Sequence, residues 1–127
     1  MELASAIAVV LIAVVITFQV ALVLGAPWGA AAWVGQHPGV LPGRLRIASG
    51  ASIAVLVFLG WIVLAAGGLV GVAPVPAAWL EYAIWVAAGY FLIGAAVNLV
   101  SRSPVERIWA PVSLAVAICC VIAAVTR

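Results

Sequence analysis

Very few side chains in this sequence could take part in chemistry, and His37 is the first of them. It is the only histidine, and an imidazole is the one ordinary side chain that gains or loses a proton near neutral pH. An acid–base role would require a partner within hydrogen-bond reach, and Glu106 is the only carboxylate that we expect on the same side of the protein. Because His37 precedes a proline in a turn-rich stretch, we favour a solvated or turn-bonding role, with catalysis as the alternative.

The inventory of side chains excludes several classes of reaction. A single histidine cannot provide a bis-histidine haem, a copper relay or a zinc triad, and the absence of aspartate argues against magnesium-dependent transfer. No phosphate-binding loop with a Gly-Lys pair is present. The adjacent Cys119 and Cys120 lie in an apolar run, where we interpret them as small buried fillers. The sequence therefore predicts no metal and no cofactor.

Arginines supply all the basic side chains, and four of the five lie in two short segments. They could surround an anionic lipid headgroup with His37 beside them, or they could only anchor the chain at the cytoplasmic surface of a membrane. The formal charge of +2 is too small for a nucleic-acid surface. The candidate ligand-binding residues are His37, Arg44, Arg46, Asn98, Arg102, Glu106 and Arg107.

The elements that must position these side chains are membrane helices. Apolar residues make up 69% of the 127-residue chain and charged residues 6%. About 20 apolar residues of helix cross a bilayer, and four segments qualify: 3–25, 47–70, 79–100 and 108–126. The first has no basic leader and is too long for a signal peptide. We predict one all-α domain over residues 1–127, a four-helix bundle with an interfacial loop or short helix between the first two spans.

Arginine placement predicts the orientation of the bundle. Arg44, Arg46, Arg102 and Arg107 all flank the first and third loops, and positive residues favour the cytoplasmic side. Both termini are then outside the cell. The alanine- and valine-rich composition is typical of a high-GC bacterium, so the predicted location is the bacterial cytoplasmic membrane. A proton-coupled multidrug transporter of this size is disfavoured, because such a pump needs an acidic side chain within the membrane.

Small residues spaced four apart predict close helix packing. The amides of Gln19 and Asn98 fall near the same end of the first and third spans, where we expect a hydrogen bond between the two helices. Trp61 and Trp85 lie deeper in their spans, so we expect them to fill the bundle. The small-residue faces are Ala13, Thr17, Ala21 and Gly25 in the first span, Gly67 and Gly71 in the second, and Ala115, Cys119 and Ala123 in the fourth.

The segment Ser103-Pro104-Val105-Glu106 has the spacing of a capping box at the start of the fourth span. In this motif the serine caps the helix, proline occupies the first helical position and the glutamate reaches back to the serine amide. We therefore interpret Glu106 as a helix cap more readily than as a catalyst.

Two blocks, GAPWGAAAWVGQHPGVLPGRLRIAS and NLVSRSPVERIWAPV, resemble a group of small, uncharacterised bacterial membrane proteins with four spans. The resemblance covers about forty residues. It implies a four-span membrane protein and brings no activity, cofactor or partner with it. The matching positions are Pro27, Trp28, Gly29, Gly35, Leu41, Pro42, Arg46, Asn98, Ser101, Ser103, Glu106 and Arg107.

Three functional hypotheses follow. The first is a non-enzymatic subunit that assembles with itself or with a larger membrane complex, based on the lack of chemistry and on the small-residue faces. The second is a binder or carrier of a lipid or another lipophile, with the arginines and His37 around its headgroup. The third is an enzyme that uses His37 with Glu106. Membrane lipids are expected partners in every case.

Overall fold

The computed structural model describes residues 1–127, which form four α-helices and no strands. All four helices are long and apolar enough to span a membrane. The predicted number and position of the long apolar helices are confirmed, with ends that differ by a few residues. The helices are α1 (Glu2–Val23), α2 (Gly43–Ala66), α3 (Leu80–Leu99) and α4 (Trp109–Thr126). We call the connections loop A (residues 24–42), loop B (residues 67–79) and loop C (residues 100–108).

The four helices follow one another around the bundle. The most extensive contact is between α3 and α4; α1 packs on both α2 and α4, and the contact between α2 and α3 is the least extensive of the neighbouring pairs. Small and β-branched residues dominate the shared core, including Ala8, Ile12, Val63, Ile84 and Cys120. Such residues let helix backbones approach closely in lipid. The seam between α2 and α3 is therefore the loosest part of the bundle.

Some of the predicted small-residue faces are buried within the bundle and others are exposed. Cys119 and Ala123 are buried, so the face of α4 does pack within the bundle. Gly67 lies against Ser5 of α1, so close that a Cβ at Gly67 would collide with the serine side chain.

The face of α1 that contains Ala13 and Thr17 is exposed. Helix α1 instead buries the face formed by Ala4, Ser5, Ala8 and Ile12, because this face is the one turned towards α2 and α4.

Loops A and C meet at one end of the bundle, while loop B and both termini lie at the other. Hydrogen bonds join loop A to loop C, and Met1 and Arg127 line the same depression as Gly68 and Glu81. The expectation that Trp61 and Trp85 fill the bundle was wrong. Both are exposed, and the Trp61 indole N–H donates to the Val72 carbonyl in loop B.

Candidate ligand-binding site

Loop A folds back on itself above the bundle. In place of a continuous interfacial helix it contains two short 3₁₀ turns, Gly29–Ala31 and Trp33–Gly35. The amide of Gly29 donates to the carbonyl of Gly39 over 2.9 Å, and a Cβ at Gly29 would collide with the carbonyl oxygen of His37. Glycine is required at this position because the two parts of the loop touch backbone to backbone.

The second turn has a left-handed backbone. Trp33, Val34 and Gly35 have φ values of 51°, 63° and 71°. Glycine adopts this region freely, whereas a β-branched residue such as valine is strained there by roughly 1–3 kcal/mol. The surrounding contacts must therefore hold Val34 in place.

Glu106 provides the most direct of these contacts. Its carboxylate accepts a hydrogen bond of 2.6 Å from the backbone N–H of Val34, 72 residues away in the sequence. Two further bonds join the same parts of the chain: the Ser103 hydroxyl donates to the Ala30 carbonyl, and the Trp109 indole N–H donates to the Ala31 carbonyl over 3.0 Å. Loop A is thus fastened to loop C and to the start of α4.

These contacts correct the predicted capping box. The backbone N–H of Glu106 does donate to the Ser103 hydroxyl over 3.4 Å, but the Glu106 carboxylate does not reach back to the Ser103 amide. That amide donates to the Ser101 hydroxyl instead. The regular helix begins at Trp109, after a 3₁₀ turn over Glu106–Ile108. The carboxylate bonds to the strained Val34 amide and therefore does not form the predicted capping bond to the Ser103 amide.

Loop A is also fastened to its own flanking helices. The Trp33 indole N–H donates to the hydroxyl of the buried Ser49 in α2 over 3.0 Å. The guanidinium of Arg46 donates twice to the Val23 carbonyl, over 2.9 and 2.7 Å, and so caps the end of α1. A helix end leaves its last carbonyls without partners, and a cation stabilises them. Loop A is a well-anchored cover on this end of the bundle.

A groove of about 440 Å³ lies beneath this cover. All four helices contribute to its wall, and Ala31, Ala32, Trp33 and Val34 of loop A line its end. The wall is mainly apolar, and its polar side chains are Gln19, Ser52, Asn98, Glu106 and Ser113. The main apolar side chains are Val15, Phe18, Leu56, Tyr90, Phe91, Ile93, Val97, Trp109, Val112 and Val116.

Polar and apolar groups are separated along the groove. Gln19, Asn98 and Glu106 lie at the end near loops A and C, whereas Leu56, Tyr90 and the other apolar groups continue towards the middle of the bundle. The eight steps of helical rise from Tyr90 to Asn98 correspond to about 12 Å along α3. The groove therefore has a polar head and an apolar body.

Gln19 and Asn98 both line this groove, but the predicted hydrogen bond between their amides is not formed. The Gln19 Oε1 atom is buried and has no hydrogen-bond partner. The two side chains share the wall of an open space instead of meeting in a packed interface. A buried acceptor without a partner costs about 1–3 kcal/mol, and the Gln19 side chain would recover this cost by turning its amide oxygen towards a donor in the groove.

The other predicted site residues lie outside the groove. Arg44, Arg102 and Arg107 are exposed, Arg46 is bonded to α1, and His37 is half-buried in loop A. Arg107 also donates to the Ser101 carbonyl over 2.9 Å. His37 takes no part in the bond that the Glu106 carboxylate accepts. Of the seven candidates, the structure brings only Asn98 and Glu106 together in the groove.

Sequence reasoning missed most of the groove wall. Gly94 and Ser113 face each other where α3 meets α4, with 3.8 Å between the Ser113 hydroxyl and the position of a Cβ at Gly94. Two small residues at facing positions of adjacent helices leave room for a ligand, and this pattern was the available signal. No group of three or more His, Cys, Asp or Glu side chains that could hold a metal ion is formed.

Comparisons of the chain with protein families, curated proteins and solved structures find no match. The groove itself is therefore the basis for a functional assignment.

Proposed function

We propose that this protein binds a small lipophilic molecule in the groove beneath loop A, within the bacterial cytoplasmic membrane. The observation that carries the proposal is the buried, unpaired amide oxygen of Gln19, a residue that shares the polar end of a mainly apolar groove with Asn98 and Glu106. Small-molecule sites are mostly apolar with a few convergent polar groups, and 440 Å³ lies within their common range of roughly 300–1,000 Å³.

The position of the groove supports entry of the ligand from the lipid. Tyr90, Ile93 and Val97 line the groove and are also exposed on α3. Because α3 packs extensively on α4 and much less on α2, these side chains border an opening at the α2–α3 seam. A lipophile dissolved in the bilayer could reach the groove through this seam without passing through water.

A pair of glycine substitutions on α3 tests the proposal. Gly94→Leu places a side chain in the groove, since its Cβ lies at an ordinary contact distance from Ser113 and its outer atoms must occupy the cavity. Gly89→Leu is the matched control, because Gly89 is on the same helix, does not line the groove and has nothing within 4 Å of its Cβ. Both changes increase helix propensity by a similar amount.

The probe is 3,4-dibromododecan-1-ol, titrated into the protein in nanodiscs while tryptophan fluorescence is recorded. Trp33 and Trp109 line the polar end of the groove, where their indole N–H groups are fixed by hydrogen bonds, so bromine near the probe's head should quench them. We expect saturable quenching in the wild type and in Gly89→Leu, with at least tenfold weaker binding in Gly94→Leu. Equal quenching in all three proteins would show only partitioning into the lipid and would refute the proposal.

A second candidate function is that of an assembly subunit of a homo- or hetero-oligomeric membrane complex. The observation that favours it is the outward-facing small-residue surface of α1, where Ala13 and Thr17 are exposed and the Thr17 hydroxyl bonds only to its own helix. Small residues spaced four apart permit close approach of another helix in lipid. The groove has the stronger support, because its unpaired acceptor points to a ligand.

Native mass spectrometry from gently solubilised membranes tests this second function. Ala13→Leu should abolish a stoichiometric complex, whereas Ala96→Leu, a matched change at an exposed alanine of α3, should leave it intact. A bare monomer under several detergents would reject an assembly role.

The proposed orientation places loops A and C in the cytoplasm and both termini outside. Arginine enrichment at this end of the bundle supports it, since Arg102 and Arg107 lie in loop C and Arg44 and Arg46 lie at the start of α2. Reporter fusions after Gly35 and after Val75 should be located on opposite sides of the membrane, the former inside. The reverse result would invert the orientation without affecting the groove.

A further inference from the structure

We infer that the ligand of the groove has a headgroup that donates hydrogen bonds and carries no negative charge, such as an alcohol or an amine. This inference rests on the proposed function, because it specifies the chemical class of the molecule that the groove binds. It replaces the arginine-bound anionic headgroup that the sequence suggested.

The polar end of the groove offers free acceptors. Gln19 Oε1 is buried without a partner, and the carboxylate of Glu106, a residue that is 5% exposed, accepts a single hydrogen bond, from the Val34 backbone N–H, through one of its two oxygens. A carboxylate can accept several hydrogen bonds. Both side chains line the polar end of the groove, so a donor bound there would add a second bond to the carboxylate, and would satisfy the glutamine oxygen once the Gln19 side chain turns that atom towards the groove.

Most of the strong donors around the groove are already occupied. The indole N–H groups of Trp33 and Trp109 donate to Ser49 and to the Ala31 carbonyl, and the Val34 amide donates to Glu106. The Ser52 hydroxyl donates to its own helix. The donors that remain are neutral, namely the amide NH₂ groups of Gln19 and Asn98 and the hydroxyls of Ser113 and Tyr90.

No basic side chain lines the groove. Arg46 is held at the end of α1 by its two bonds to Val23, Arg107 is bonded to Ser101, and Arg44 and Arg102 are exposed. An anionic headgroup would therefore be buried beside the Glu106 carboxylate without a counter-charge, which is strongly unfavourable in a medium of low polarity. A hydroxyl avoids this cost, and an ammonium group would pair with the carboxylate.

Three probes with the same dibrominated dodecyl chain separate the headgroup classes: the alcohol, the primary amine and the monophosphate ester. Each is titrated into nanodiscs that contain the wild type, Gln19→Leu, or Gln36→Leu. Gln36 is the matched control, since it is an exposed glutamine in loop A that does not line the groove. The ratio of the Kd of a variant to the Kd of the wild type, taken for each probe in the same bilayer, cancels differences in partitioning.

We expect Gln19→Leu to weaken binding of the alcohol and of the amine at least fivefold. Binding of the phosphate should be weaker than that of the other two probes and unchanged by this substitution, and Gln36→Leu should not change the binding of any probe. Gln19→Glu provides a second variant that retains the acceptor. It should preserve binding of the alcohol and tighten binding of the amine.

The outcomes distinguish this inference from the proposed function. If the phosphate binds most tightly and Gly94→Leu abolishes its binding, the groove is a lipophile site but the headgroup assignment is overturned. The assignment is also overturned if Gln19→Leu leaves the alcohol and the amine unaffected. If no probe shows saturable quenching that depends on Gly94, the proposed function fails and this inference fails with it.

Discussion

Replacing Glu106 by alanine should release loop A from the rest of the protein. The substitution removes the acceptor of the Val34 amide, and that amide is part of a turn whose φ of 63° is unfavourable for valine. Hydrogen bonds to charged groups contribute about 1.5–3 kcal/mol. We therefore expect Glu106→Ala to destabilise the folded loop by about 2 kcal/mol.

Glu106→Gln separates the hydrogen bond from the charge. The glutamine keeps an oxygen at nearly the same place, but a neutral acceptor forms a bond roughly half as strong as a charged one. We expect a loss of about 1 kcal/mol. Glu81→Ala is the control, because Glu81 is exposed at the other end of the bundle and surface substitutions usually change stability by less than about 0.5 kcal/mol.

Amide hydrogen exchange at Val34 measures the effect directly. A loss of about 2 kcal/mol corresponds to roughly 30-fold faster exchange from the locally opened state. The order of exchange rates should be Glu106→Ala, then Glu106→Gln, then Glu81→Ala and the wild type together. Unchanged exchange at Val34 in Glu106→Ala would refute the idea that this carboxylate holds the turn, and equal effects of the two Glu106 variants would assign the stabilisation to charge alone.

Two further pairs of variants probe the same end of the bundle. Gly35→Ala should destabilise the protein by about 1–3 kcal/mol in an SDS unfolding titration, because Gly35 has a φ of 71° and a Cβ there would lie 2.7 Å from the Ser103 Cβ. Gly39→Ala, at an open position, should have almost no effect, and similar losses for both would contradict the reasoning. Arg46→Met should cost about 1.5–3 kcal/mol through loss of both bonds to the end of α1, whereas Arg44→Met should be nearly neutral in the same titration. Equal behaviour of the two arginine variants would mean that the cap contributes nothing.

The helices were predictable because bilayer thickness fixes their length and apolar composition marks their position. Predicted span 3–25 corresponds to Glu2–Val23, and span 79–100 to Leu80–Leu99 with the 3₁₀ turn before it. The pairing of loops A and C at one end also followed, because consecutive spans run in opposite directions. Hydropathy carries no information about which face of a uniformly apolar helix is buried, so the exposed face of Ala13 and Thr17 could not be recognised.

The contacts of Glu106 show a second limit of sequence reasoning. Spacing from Ser103 to Glu106 predicts a local cap, and one backbone bond of that cap does form. The carboxylate nevertheless accepts its hydrogen bond from the backbone N–H of Val34, 72 residues away in the sequence, and local spacing carries no information about such a partner. Valine rarely adopts positive φ, so no sequence pattern indicated a left-handed turn at Trp33–Gly35.

The groove was the least predictable feature. Gln19 and Asn98 were expected near each other, and both do line the groove. Their positions in the sequence cannot show whether the two amides form a hydrogen bond or line opposite sides of an open space. The arginines drew attention to an anionic ligand because charge is conspicuous in an apolar sequence. Arg46 and Arg107 instead donate to backbone carbonyls, those of Val23 at the end of α1 and Ser101 in loop C, and Arg44 and Arg102 are exposed.

The hydrogen bonds that hold loop A have a consequence for the order in which the parts of the chain fold. Loop A bonds through the backbone groups of Val34, Ala30 and Ala31, which lie between α1 and α2. The side chains that bond to them are those of Glu106, Ser103 and Trp109, which follow α3 in the sequence. While the ribosome is still making α3, residues 103–109 have not been synthesised. Loop A, which joins the first two helices, cannot yet form its hydrogen bonds to them. Loop A can form these bonds only after the segment that leads into α4 has been made, so its closure depends on the second helical hairpin.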